Sequence, residues 1–378
     1  MSQRYVLFLF GNNEVAYSGA ASLDGSRCRP IIFSPKGNNI LNLSSKFHLK
    51  RQSRFAWPEA GYLEELLSFL KPLKEEGRVL TFLCNDEAVY FWIKNQPVLE
   101  EHCSVLAHSL ERFYNKFQFY KALAEIEMPF PKTWSLADDT QPRFPFIVKP
   151  ALRDYVGPRE FPGKILVVNN KWDLGRVKRL DPQKFLAQEM LDFTAGEEYS
   201  WWGYRNLKGE VTSVVVKHRG RFPLRYGRVT HLEIVQHQLI KPMGDAVVQQ
   251  LRYSGLAEIQ IVLDRNAQML KVVDINPRLW CGHSLMAMSD SNLIRQCADE
   301  YYGLDQSRPA RREYDVESGQ RYQWFSVLDN FYQFNLSKIR CSEFYRLSSD
   351  NLVMQLAGRV FLFLKFFYYL TLGRFLKI

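Results

Sequence analysis

The residues of this chain best suited to chemistry fall in two short segments, 255–264 and 270–278. Side chains alternate across a strand, so Ala257, Ile259, Ile261 and Leu263 share one face of the first segment, and Glu258 and Gln260 share the other. In the second, Asp274 and Asn276 lie on one face. The short polar link 265–269 joins the two as an antiparallel hairpin. With a five-residue loop, Gln260 lies opposite Asp274 and Glu258 opposite Asn276, with opposed Cβ atoms about 4.5–5.5 Å apart. Acid and amide oxygens so gathered suit Mg²⁺, which takes oxygen ligands at about 2.0–2.1 Å. Burying them with no cation would be costly. Arg278 follows just past the strand, where a guanidinium can grip phosphate oxygens in bidentate fashion. An ordinary exposed polar face is the competing reading, and the apolar-in, ligand-type-out pattern on both strands argues against it.

Other elements must bring partners to this hairpin. A strand at 146–150 ends in Lys149, a second at 164–168 begins with Lys164, and a third at 185–191 carries Gln188, Glu189 and Leu191. His218, Arg219, Arg221 and Arg225 lie in the strand-rich stretch that follows, and helices are expected over 113–126 and 243–253. The first hundred residues alternate strand and helix. Strands read at 4–10, 30–34 and 79–83, with a helix at 60–71 whose Leu63, Leu66, Leu67 and Leu70 recur at helical spacing. That alternation implies a small parallel α/β domain. Asp86, just beyond the last of these strands, stands either where open α/β sheets bind ligands or as the cap of a helix over 87–94.

Asp274-x-Asn276-Pro277-Arg278 resembles the metal motif of the ATP-grasp superfamily, and Gln260 stands at the upstream spacing of its carbamoyl-phosphate-synthetase-like members. By that resemblance Lys149 and Lys164 contact the nucleotide phosphates, with Lys164 also near the adenine. Gln188, Glu189 and Leu191 belong to the linker that reads the adenine edge. Glu198, in Gly196-Glu197-Glu198-Tyr199, holds the ribose hydroxyls. The segments 219–227 and 276–284 are similar to a subgroup of carboxylate–amine ligases that includes D-aspartate-ligase-like proteins, and the resemblance spans about residues 75–305. It implies an α/β and α+β multidomain architecture. An N-terminal α/β domain covers 1–108 and an ATP-grasp domain 109–305, whose parts 109–187 and 188–305 clamp ATP. An extension covers 306–378. The implied reaction joins a carboxylate to an amine through an acylphosphate, with ATP and one or two Mg²⁺ or Mn²⁺ ions. Arg278, with Arg225 or Arg219 beside it, would hold the transferred phosphoryl group or the acceptor carboxylate. Asp274 in place of Glu and Gln260 in place of an acid weaken the case for a second ion. They keep open a nucleotide-binding protein without ligase activity, kinase-like or degenerate.

Composition bounds the rest. With 378 residues, 46% apolar and 14% aromatic, the chain is globular and built of more than one unit. Its formal charge of +10 is spread rather than clustered, which argues against nucleic acid as the partner. Six scattered cysteines with no CxxC pair fit reduced thiols in a cytoplasmic protein, and the N-terminus does not read as a signal peptide. The stretch 351–378 is rich in Leu, Phe and Tyr but holds Arg359 and Lys365 within any spanning window. A helix lying on the inner face of a membrane, packing on the chain's own core, and contact with a partner such as a second copy all remain open for it. A membrane- or polymer-associated binding module would rest on this segment and the basic charge.

Overall fold

A computed structural model describes residues 2–11, 14–37, 40–59, 61–137, 143–152, 165–193, 197–222, 228–288, 291–304 and 323–325. Lys164, Arg225 and the segment 351–378 lie outside the described residues.

The N-terminal apolar runs form a parallel sheet of β1 (Gln3–Leu9), β2 (Arg29–Ser34), β3 (Leu49–Gln52) and β4 (Gly77–Leu83), in the order β3-β2-β1-β4. A parallel sheet covered on both faces needs strands that are apolar throughout, and β1 shows why. Tyr5, Leu7 and Leu9 face the helices Gly61–Glu76 and Asp86–Leu99, while Val6 and Phe8 pack with Val15 and Ala16 of the helix Glu14–Ala21.

The second sheet is antiparallel: β5 (Thr133–Ser135), β6 (Phe146–Pro150), β7 (Leu166–Val168) and β8 (Phe185–Glu189), ordered β5-β8-β6-β7. The third has six strands: β9 (Glu198–Arg205), β10 (Val211–Phe222), β11 (Arg228–Val235), β12 (Gly255–Asp264), β13 (Met269–Asn276) and β14 (Gln323–Phe325), ordered β13-β12-β9-β10-β11-β14. On one face Trp201, Val215, Ala257, Ile259, Ile261 and Ile275 bury against Phe119, Leu123, Val247 and Val248. The helix Ile240–Gln250 comes so close that a Cβ on Gly244 would lie 2.2 Å from the Trp201 ring, so only glycine fits there. On the other face Trp202, Tyr204, Val216 and Leu232 pack toward the N-terminal sheet and the helix Leu293–Tyr301.

Helix ends differ from the periodicity in one way that matters. The single helix expected over 113–126 is two, Leu110–Tyr114 and Lys116–Glu125, divided at Asn115. Asn115 has extended backbone, and its side-chain oxygen accepts the N–H groups of Phe117 and Gln118, which starts the second helix afresh. The helix expected over 243–253 runs over Ile240–Gln250. Among the described residues no helix is long and apolar enough to cross a membrane, and none of the described cysteines forms a disulfide.

Candidate functional site

The hairpin β12–β13 has the expected register at its functional end, for a different reason from the one expected. Gln260 pairs with Asp274 and Glu258 with Asn276. The connection is not a five-residue loop, because Asp264 pairs with Met269 and four residues make the turn. A bulge restores the offset: Ile261 pairs with Val272, which leaves Val273 as an extra residue on β13. The carbonyl of that extra residue accepts a hydrogen bond from the Tyr120 hydroxyl at 2.5 Å. Tyr120 also receives one from Lys149 Nζ at 2.7 Å, which ties the hairpin to the second sheet.

Two lysines converge on Asp274. Lys116, first residue of its helix, places Nζ 2.5 Å from Asp274 Oδ1. Lys149, at the end of β6, is buried over the Tyr120 ring with its nitrogen 5.1 Å from the ring centre. Burial pushes the Lys149 ammonium down to about 8, although the Asp274 carboxylate pulls the other way. Burial also works against the charge of Asp274, but Lys116 and Lys149 outweigh it and hold that carboxyl below its usual range. Lys116 and Tyr120 are the residues that the sequence analysis passed over. Their signal is faint: two polar-tipped side chains four apart on one face of a short helix.

Around this core the polar row is closely bonded. Glu258 Oε1 accepts from Ser200 Oγ at 2.8 Å and Trp202 Nε1 at 3.1 Å, and Oε2 accepts from Asn276 Nδ2 at 2.9 Å. Ser200 also meets His218 Nε2 at 2.9 Å. Burial, and Arg221 beside it, hold His218 well below its ordinary pKa, so the ring is neutral. Arg221 grips Glu198 through Nε and Nη2, both at 2.6 Å, in a largely buried pair. Arg219, on the solvent side, bonds Glu233 at 2.6 Å. At the opposite end of the hairpin, Lys271 bridges Glu189 at 2.5 Å and Asp264 at 2.9 Å. Gln188 is buried on β8 and donates to Thr133 Oγ1 at 2.9 Å. Leu191 is half-buried just past β8.

Arg278 is fixed on three sides. Nε donates to Asp86 Oδ1 at 2.6 Å, Nη1 to the Leu279 carbonyl at 2.9 Å and Nη2 to Asn276 Oδ1 at 3.1 Å. Asp86 is therefore not the cap of its helix. Asn85 is that cap, accepting the Ala88 N–H at 2.8 Å, and Asp86 is left to reach from the first sheet to the hairpin.

The donor set suits one hard cation. Among the described residues, Asp274 Oδ2 and the side-chain amide of Gln260 carry no hydrogen bond, and their residues are directly opposed. Glu258, the other carboxylate of the row, already accepts three hydrogen bonds, so a second ion would have to compete for it. No group of three or more His, Cys, Asp and Glu side chains that could hold a metal occurs among the described residues, which leaves amide oxygens and ligand phosphates to complete a coordination shell. Three cations, Lys116, Lys149 and Arg278, around a single ligating carboxylate make a place for a polyanion that carries its own metal.

No family model matches this chain, and no curated protein matches it in sequence. Solved structures do match in fold. An N5-carboxyaminoimidazole ribonucleotide synthetase in its ADP complex matches with TM-score 0.60 at 11% identity over 81% of this chain and 78% of that one. An L-amino acid ligase from Bacillus licheniformis matches with TM-score 0.58 at 14% identity, covering 79% and 74%. The biotin carboxylase domain of Hydrogenobacter thermophilus 2-oxoglutarate carboxylase, solved with MgADP, ADP and bicarbonate, matches with TM-score 0.63 at 12% identity, covering 81% and 71%.

Proposed function

The chain has the ATP-grasp fold, and on that footing we propose that it is an ATP-dependent ligase joining a carboxylate to an amine. One observation carries the proposal: Lys116 and Lys149 arrive from two different elements at Asp274, with the unbonded Gln260 amide directly across from it.

ATP lies between the second and third sheets. The linker after β8, with Gln188, Glu189 and Leu191, borders the adenine, and Glu198 lies toward the ribose, where its hydroxyls would share the carboxylate with Arg221. Lys116, Lys149 and Arg278 face the phosphates, the role that the family resemblance also gives to Lys164. Asp274 and Gln260 would hold one Mg²⁺, for which Mn²⁺ could stand in, and Asn276 could join them only by sharing the oxygen that accepts from Arg278. The ion supplies charge neutralisation on the phosphates when bound.

The chemistry needs positioning and electrostatics more than covalent help. A substrate carboxylate oxygen forms a bond to the γ-phosphorus as the bond to ADP breaks. The amine then attacks the acylphosphate carbonyl; a C–N bond forms, phosphate departs, and the amine proton passes to solvent. Arg278 stays in one orientation through these steps because Asp86, Asn276 and the Leu279 carbonyl hold three of its five N–H donors, which leaves two for the phosphates.

Two measurements test this. Mg-ATP should raise the unfolding temperature, and no stabilisation would remove the nucleotide site. A screen of amino acids and other carboxylates should then find one whose ADP release requires an added amine. ADP release indifferent to any amine would favour a kinase instead.

A further inference from the structure

The segment between β7 and β8 carries a feature that nucleotide chemistry does not use. Asn170 caps a short turn, Lys171–Asp173, which runs into the helix Leu174–Val177. Leu174 and Leu180 turn inward against Val148, Val168, Val177 and Phe185, so the segment is anchored to the second sheet by its apolar side. Trp172 turns outward and is 92% exposed, far beyond any other large apolar side chain among the described residues. An indole this bare lacks walls around it. It projects, and it can be buried only by something that closes over it.

Its surroundings are cationic. Lys171, Arg176, Lys178 and Arg179 are exposed, and none of them is ion-paired among the described residues. The two acids in the same stretch are turned to local partners, not to these four cations: Asp173 accepts the Asn169 N–H at 2.9 Å, and Asp181 accepts the Gln183 N–H at 2.9 Å and pairs with Lys184 at 3.9 Å. We propose that Trp172 with Lys171, Arg176, Lys178 and Arg179 forms a docking surface for an anionic phospholipid membrane. Indole is amphipathic and settles at headgroup depth, where the bilayer deforms to receive it. Lysine and arginine beside it draw the protein to acidic headgroups. Single-stranded nucleic acid is the poorer fit, because such sites stack successive bases on several aromatic rings and this patch has one.

The test is co-sedimentation of the full chain with vesicles of neutral phosphatidylcholine, and of phosphatidylcholine with one quarter phosphatidylglycerol, at low salt. Binding is expected only to the anionic vesicles. Trp172→Ala should weaken it, and the double variant Lys178→Glu with Arg179→Glu should weaken it by roughly thirtyfold or more, since each cation near such a surface contributes about fivefold. Both variants change exposed residues, and an unaltered Mg-ATP thermal shift confirms that the fold and nucleotide site are intact. Equal binding to both vesicle types, or variants that bind like the wild type, overturns the proposal; in the second case another part of the chain makes the contact. Tighter binding to a single-stranded oligonucleotide than to anionic vesicles overturns it as well.

Discussion

The hairpins β12–β13 and β10–β11 belong to one sheet and both carry ionised side chains, yet they find partners in different places. On β10 the arginines are answered from inside the sheet: Arg219 by Glu233 on β11, Arg221 by Glu198 on β9. At the C-terminal end of β13 and just past it the charges are answered from other parts of the molecule. Asp274 meets Lys116 of a separate helix, and Arg278 meets Asp86 at the end of the first sheet. A pair within one sheet neutralises charge that the sheet itself buries, and a ligand can share such a partner but hardly displaces it. A pair between elements stands where a ligand can enter and take over a contact on each side. Both hairpins look equally rich in chemistry as sequence; the origin of each counter-charge separates a rivet from a binding site.

The largest expected effect comes from Asp274→Asn. Removing the carboxylate proposed to ligate the ion should lower amine-dependent ADP release by about a thousandfold, the scale seen when a preorganised charge is lost. Undiminished turnover would dissolve the distinction between the hairpins. Next is Arg221→Ala, which strands the buried Glu198 carboxylate, only 7% exposed. Losing one partner of a buried pair costs about 3–5 kcal/mol. Urea unfolding should show a drop of that size, with kcat changed much less than stability. Third is Asp86→Ala, which removes a charged hydrogen bond from Arg278 and should lower kcat/KM by about tenfold to a hundredfold. Asp86→Glu should recover part of the loss, which a merely destabilised fold would not do.

A pH profile sharpens the same contrast more gently. Lys149 is cationic below about 8 and neutral above it. Hence kcat/KM for Mg-ATP should fall as pH rises through about 8, approaching tenfold per unit, because that parameter reports the free enzyme. Lys149→Arg, which stays charged, should abolish the break. Stability should move the opposite way. The folded lysine titrates near 8 and the unfolded one near 10.5, so the unfolded chain binds the extra proton between those values, and this group favours folding as pH rises across them.

Much of this was legible from residue order. Period-two alternation over 255–264 and 270–276 gives the hairpin, and β6 spans the same residues, 146–150, as its apolar run. The register was reached through two compensating details, a four-residue turn and a bulge at Val273, neither of which alternation reveals. Lys116 was not legible because its role depends on the restart at Asn115, which turns an apparently continuous helix and sets Lys116 against a strand 158 residues away. Asp86 was ambiguous for a local reason. Asn85 and Asp86 are both good caps, and only tertiary contact shows which one leaves the helix to hold Arg278.

The smallest expected effect is at Arg219, which was a candidate for the acceptor carboxylate. Its side chain is 39% exposed, it sits at the bulge between His218 and Gly220, and its Nε is turned onto Glu233. Glu233 is buried, with 7% of its side chain exposed, but the Arg219 guanidinium stays partly in water, so the pair is worth about 1–3 kcal/mol, less than the one at Arg221. Arg219→Ala should therefore shift urea stability by no more than about that amount and leave KM for Mg-ATP unchanged. Measuring KM for the carboxylate in the same variant gives the comparison its sharpest edge. An in-sheet rivet predicts no change there. A selective rise, with stability intact, would show that Arg219 leaves Glu233 for the substrate, and that a pair within one sheet can be re-partnered after all.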